Sequence, residues 1–235
     1  MDVLHFWLRR RRERFMDVIS VPVTTEELDA TQIRAVNRLR NELMRDRSSE
    51  AVAINGRVKA AIAAGVAAAR AGTVVDWGCG GLPIVPYLTG NPDFAGVDID
   101  PVALDEIRAT GLRGMSPDEA ATFTPARSPC VVTGAFVLHF KIDHAHVTTM
   151  ARLVGTDGFI LANVYRRSLE SRENLRIALK ERHLLVTSVH DPAELVGGHE
   201  FWFIATPEAT ALHAGTVLGA VTATLTGASE TESAD

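Results

Sequence analysis

The chain has 235 residues, 46% hydrophobic and 23% charged, a globular composition with length for one well-cored domain and an appendage but not for two full domains. Its 24 basic and 29 acidic residues leave a net charge of −5, which argues against sequence-independent attraction to nucleic acid or to an anionic membrane. Two cysteines, Cys79 and Cys130, allow one bridge at most and fit a reducing cytoplasm, and the longest apolar run, residues 60–69, is too short to span a bilayer.

In chain order, the apolar residues 3–8 precede the basic run Arg9, Arg10, Arg11, Arg12 and Arg14, the reverse of a secretory signal. That run reads as a solvated helix face. Thr24 and Glu27 have capping-box spacing and predict a helix start. Ile33, Val36, Leu39 and Leu43 then recur at helical spacing among charged residues, and Ile54, Val58, Ile62 and Val66 repeat every four residues on an alanine-rich body. Residues 1–70 are therefore expected to be helical.

From Gly72 the period shortens. Apolar, largely β-branched or aromatic runs at 73–75, 94–97, 130–132, 159–161, 184–186 and 201–204 read as strands, the earlier ones separated by helical stretches. This alternation predicts a mainly parallel sheet covered on both faces. The connection 191–199 is too short for a crossover helix, so the last two strands should pair antiparallel. Residues 208–235, rich in small residues and threonine, are expected to form a weakly structured tail.

The first strand–loop–helix carries the chemistry, because ligands in open α/β sheets bind beyond the carboxyl ends of the strands. It reads Val74-Val75-Asp76-Trp77-Gly78-Cys79-Gly80-Gly81-Leu82-Pro83, with glycines that admit a tight turn and Pro83 suited to a first helical turn. Twenty residues after Gly78, Asp98 ends the next strand, where a carboxylate can accept hydrogen bonds from both hydroxyls of a ribose. A dinucleotide fingerprint would need Gly or Ala where Pro83 stands. Asp76 would repel a pyrophosphate but suits a ligand bearing an ammonium and a sulfonium.

Val74-Val75-Asp76-Trp77-Gly78-Cys79-Gly80, then Gly96-Val97-Asp98-Ile99-Asp100-Pro101, then the stretch from Val131 to Phe140, resemble motifs I, II and IV of class I S-adenosylmethionine-dependent methyltransferases. The resemblance covers residues 72–207. It implies a Rossmann-like seven-stranded mixed sheet with the last strand antiparallel, and S-adenosyl-L-methionine as cofactor. It places Asp76, Gly78, Gly80 and Gly81 at the methionine end, Asp98 at the ribose, and Met115 and Ser116 near the adenine. Two departures stand out: Leu82 where the family often has glycine, which here falls at Gly81, and Cys130 where it commonly has aspartate.

His139 and Tyr165, just past the fourth and fifth strands, are the candidate catalytic residues, as a base or as contacts to the acceptor. Asn163, Arg166 and Arg167 would edge the same pocket. Asp143, His144 and His146 read as a helix start rather than metal ligands, because histidines two apart do not share a helix face.

The expected organisation is thus a helical lid (1–70), a methyltransferase domain (71–207) and a tail (208–235). The expected activity is methyl transfer to a small-molecule acceptor by in-line displacement, in the cytoplasm and without nucleic-acid or membrane partners. Two other readings stay open: a methyltransferase-like binding or regulatory module without catalysis, and an RNA or protein methyltransferase guided by the basic segment.

Overall fold

The structure, a computed structural model, describes residues 12–15, 19–22, 28–45, 50–165, 167–192 and 199–232. Its first element is a hairpin of β1 (Arg12–Phe15) and β2 (Ile19–Pro22), paired antiparallel. The N-terminal region is therefore not wholly helical. Ile19 and Val21, β-branched and two apart before Pro22, favour extended backbone over a helical turn. Arg12 and Arg14 of the basic run lie on β1, and Arg9, Arg10, Arg11, Phe6 and Trp7 lie outside the described residues.

The capping box at Thr24 and Glu27 also lies outside them. Helix α1 (Ala30–Arg45) begins on a reciprocal cap of its own: the Gln32 N–H donates to Asp29 Oδ1 at 2.8 Å and the Asp29 N–H to Gln32 Oε1 at 3.0 Å. Helix α2 (Glu50–Ala68) follows the expected four-residue repeat and buries Val58, Ile62 and Val66 completely.

The seven-stranded sheet has the order β5-β4-β3-β6-β7-β9-β8, with β3 (Thr73–Trp77), β4 (Asp93–Val97), β5 (Arg113–Met115), β6 (Cys130–Gly134), β7 (Phe159–Val164), β8 (Leu185–His190) and β9 (Glu200–Ala205). β3 to β7 pair parallel, and β9 runs antiparallel to both neighbours, β7 and β8. The expected mixed sheet and antiparallel last strand are present. Alternating side chains split the core in two, as a pleated strand requires. Val74, Val131, Phe159 and Phe203 face α2, whereas Val75, Val132, Ile160 and Trp202 face the opposite layer. That opposite layer holds α5 (His144–Val154) and α6 (Leu169–Lys180), with α3 (Pro101–Ala109) and the single turn α4 (Pro117–Ala120) beside β4 and β5.

The segment after Thr206 is not a weak tail. It forms helix α7 (Pro207–Glu232), which buries Val217, Val221 and Leu225 against α2 and the sheet. Its small residues, which suggest low burial when read as composition, are what lets two helices and a sheet approach closely. At Gly65 on α2 a Cβ would fall 2.7 Å from Leu161 Cδ2 and 3.0 Å from Val217 Cγ1. Hence α2 and α7 complete one face of the core, and the domain extends beyond residues 71–207 at both ends.

A second departure lies in the first crossover. Among the described residues 78–92 no α-helix follows the glycine loop, only a 3₁₀ turn at Val85–Tyr87. Pro83 and Pro86, then Gly90, Asn91 and Pro92, remove donors and favour turns, so no α-helical turn propagates. Leu225→Ala should cost about 2–5 kcal/mol of stability in urea unfolding. An unstructured tail would instead make the substitution silent.

Candidate functional site

The chain moves outward from β3 through β4 to β5 and then returns to β6 on the other side of β3, so a crevice opens where the carboxyl ends of β3, β4 and β6 meet. A cavity of about 320 Å³ occupies it. Trp77 and Gly78 line it from β3, Val97, Asp98 and Ile99 from β4, and Phe136 and Val137 from the end of β6. Helix α1 supplies the facing wall through Ile33 and Asn37, with Asp29 just before it.

At Gly78 the backbone has φ +68°, and a Cβ would lie 2.4 Å from Val137 Cγ2, so glycine is required twice over. The Gly78 and Cys79 N–H groups both donate to Val97 O, at 2.7 and 3.2 Å, which folds the loop over the end of β4. Asp98 completes this clamp: Oδ2 accepts from the Gly80 N–H and Oδ1 from the Asp100 N–H, both at 2.8 Å. The same side chain lines the cavity.

Asp100 carries the network onward. It caps α3 through the Val102 N–H and receives two 2.7 Å hydrogen bonds from Arg38 on α1. The Arg38 guanidinium holds the Asp100 carboxyl below its ordinary value of 3.8. Because the folded-state value is depressed, this pair contributes stability above about pH 4 and loses it as pH falls through the folded-state value. Arg38 is half exposed, which keeps the contribution at about 1 kcal/mol or less.

Asp76 lies below the cavity floor and does not line it. Its carboxylate accepts from the Ile84 N–H and the Thr133 hydroxyl, each at 2.9 Å. Burial raises its pKa, opposed by the Ile84 N–H, the Lys59 ammonium and the Thr133 hydroxyl. Lys59, buried on α2, donates to the Leu82 carbonyl, so one lysine both steadies the loop and offsets the Asp76 charge. Burial also pushes the Cys79 thiol well up and the Cys130 thiol up to about 12, which keeps both protonated.

Gly78 and Asp98 line the cavity, whereas Gly80 and Gly81 do not. Met115 and Ser116 do not line it either. Met115 is buried beneath Asp98, accepting the Asp98 N–H at its carbonyl, and Ser116 caps α4 in a capping box with Glu119. Pro117, the next residue, reaches the cavity instead.

His139 and Tyr165 meet each other rather than the cavity: Tyr165 Oη lies 3.3 Å from His139 Nε2, with the residues 3% and 2% exposed. The cavity-lining Phe140 and Phe136 screen them, at ring distances of 3.9 Å from His139 and 5.6 Å from Tyr165. Two features turn this loop inward. Phe136 adopts φ +59°, a conformation costing about 1–3 kcal/mol for a bulky residue, and Arg167 donates to the Leu138 and Phe140 carbonyls at 2.7 and 2.9 Å. Arg167 is thus a structural clamp, and Arg166 lies outside the described residues.

The Phe136 strain is held from behind. Asn163 Oδ1 accepts the Phe136 N–H at 2.6 Å, Asn163 Nδ2 lies 3.0 Å from His199 Nε2, and His199 Nδ1 lies 2.8 Å from Asp191, which takes two 2.7 Å bonds from Arg57. This buried chain unites residues up to 134 positions apart, a relation no local pattern encodes. Other contributors missed from sequence are Asn37, Lys141, Asp143 and His146, all lining the cavity. The helix start at His144 is as expected, but His146 packs 5.6 Å from the Trp77 ring.

No protein-family model and no curated protein matches the chain. Solved structures do. A TehB-like S-adenosylmethionine-dependent methyltransferase from Corynebacterium glutamicum superposes with a TM-score of 0.51 at 17% identity, over 74% of this chain and 97% of that one. An amino pentose methyltransferase from Micromonospora echinaspora, solved with S-adenosylmethionine bound, gives 0.45 at 18% identity over 77% and 99% of the two chains. Magnesium protoporphyrin IX methyltransferase from Synechocystis gives 0.48 at 15% identity over 66% and 81%. The fold is that of the class I methyltransferases. Replacing Arg38 with methionine should return the Asp100 carboxyl towards 3.8, read as an upward shift in its NMR titration midpoint.

Proposed function

We propose that the crevice binds S-adenosyl-L-methionine and that the protein transfers its methyl group to a small-molecule acceptor. The observation that carries this reading is the joint placement of Gly78 and Asp98 on one cavity at the strand-order switch, under the fold that methyltransferases share. The donor set fits. Asp98 brings a carboxylate to the cavity wall, the group type suited to ribose hydroxyls, Val97, Ile99 and Pro117 give apolar surface for a flat base, and the buried Asp76 carboxylate lies beneath the loop.

A dinucleotide fits poorly. Pyrophosphate sites use the N-terminus of the helix after the glycine loop, and that crossover holds a three-residue 3₁₀ turn. Bound in the crevice, S-adenosylmethionine would supply an electrophilic methyl on a sulfonium for in-line transfer to the acceptor, the sulfur leaving as a thioether.

The chain's own residues would then orient and exclude water. Trp77, Phe136 and Phe140 give the acceptor side an apolar wall, with Asp29, Lys141, Asp143 and His146 as the polar groups that could hold an acceptor or take its proton. We assign His139 and Tyr165 as positioning residues that support Phe136 and Phe140, since neither lines the cavity. Helix α1 serves as the lid that dries the site, while α2 is a core helix.

Among the described residues no helix is long and apolar enough to cross a membrane. Asp98→Asn keeps the shape but removes the charge, and should weaken S-adenosylmethionine binding by about 1.5–3 kcal/mol in calorimetric titration. Unchanged affinity in the variant would remove Asp98 from the ribose.

A further inference from the structure

We infer that Asn163 and His199 are positioning residues for the cofactor: a one-way series of buried hydrogen bonds holds the Phe136–Val137 turn against Gly78 and so fixes the glycine loop that borders the crevice. The inference rests on the proposed cofactor and adds two residues that lie outside the recognised motifs.

The donor order is forced from the Phe136 end. A backbone N–H can only donate, so the Asn163 atom 2.6 Å from it is the amide oxygen, and the amide nitrogen, itself only a donor, faces His199 Nε2 at 3.0 Å. Nε2 therefore accepts, the ring proton sits on Nδ1, and Nδ1 donates to Asp191 at 2.8 Å. Asp191 also takes two bonds from Arg57 of α2, so its carboxylate meets donors from both neighbours. Asn163, His199 and Asp191 are all buried, which leaves each partner fixed by the next rather than by solvent.

What this series holds is a turn against a loop. Phe136 keeps φ +59°, and the next residue, Val137, puts Cγ2 2.4 Å from where a Cβ on Gly78 would lie, so its side chain fills the space left by the bare glycine. Phe136, Val137 and Gly78 all line the cavity, whereas Asn163 and His199 do not. Relaxing Phe136 to a negative φ redirects the residue that follows and takes Val137 off the loop. Asn163 thus reaches the cofactor side through the turn, without touching the ligand.

The test titrates S-adenosylhomocysteine calorimetrically into the wild-type chain, Asn163→Leu, Asn163→Asp, Val137→Ala, and Asn163→Leu combined with Val137→Ala. Proton–nitrogen correlation spectra of the histidine rings accompany it, with His199 assigned through His199→Phe. The wild type should show a protonated Nδ1 and a bare Nε2. Asn163→Leu should bind about tenfold more weakly, because the Phe136 N–H loses its acceptor. Asn163→Asp keeps that acceptor and should stay within about threefold of wild type, with both His199 nitrogens now protonated. Should Asn163→Leu not fold, His199→Phe, which removes the lone pair that orients the amide, takes its place with an expected loss of about fivefold. In the Val137→Ala background either loss should fall below about twofold, since the contact that transmits it is gone. A protonated Nε2 in the wild type, a loss in Asn163→Asp equal to that in Asn163→Leu, or an undiminished loss in the Val137→Ala background would overturn the inference while the cofactor reading stands. Failure of the wild type to bind S-adenosylhomocysteine at all would sink that reading, and this inference with it.

Discussion

Asp98 and Asp100, two carboxylates at the end of one strand, tie the glycine loop, the end of β4, α3 and α1 together around the crevice. Asp98 accepts N–H bonds from the glycine loop and from its own strand end, and Asp100 caps α3 while receiving the guanidinium of α1. Removing either would release the loop, the strand end or the cover. The arrangement is economical because backbone N–H groups at strand ends and helix starts have no ladder partner, and a carboxylate satisfies several at once.

The core explains why this network can be held rigidly. Helices α2 and α7 cover one face of the sheet, α5 and α6 the other, and the central strands β3, β6 and β7 are buried along their whole length. Strain at Phe136 persists because Asn163, His199, Asp191 and Arg57 over-determine its backbone from within the core. Lys59, reaching up from α2, joins the same core to the loop and keeps the buried Asp76 tolerable. The proposed chemistry is thus supported from beneath by packing, and from above by one helix anchored through Arg38.

The glycine loop and the acidic strand end at Asp98 are legible as local patterns with a fixed spacing, and the strands because apolar runs are short and bounded by turns, whereas the place of Asp76 beneath the cavity depends on its partners Ile84 and Thr133. Helix α7 was hidden by composition, although Val217, Val221 and Leu225 at four-residue spacing carry the signal of a buried stripe. The reciprocal cap of Asp29 and Gln32 was also readable, being the amide version of the box sought at Thr24 and Glu27. Nothing in the sequence distinguishes His139 and Tyr165 behind the wall from His146 on it. That difference depends on the positive φ at Phe136 and on an arginine 29 positions from its carbonyl acceptor. The split of the N-terminal region, with α2 in the core and α1 over the crevice, is likewise a property of tertiary packing, since both helices have an apolar stripe.

The central claim is that the crevice takes a sulfonium nucleoside rather than a dinucleotide. Native mass spectrometry of the wild-type chain, mixed with equal concentrations of S-adenosylmethionine and NAD, measures that choice directly. A mass increase of one S-adenosylmethionine per chain, with no dinucleotide adduct, is the predicted result, and an adduct of NAD alone or an unshifted chain would contradict the account.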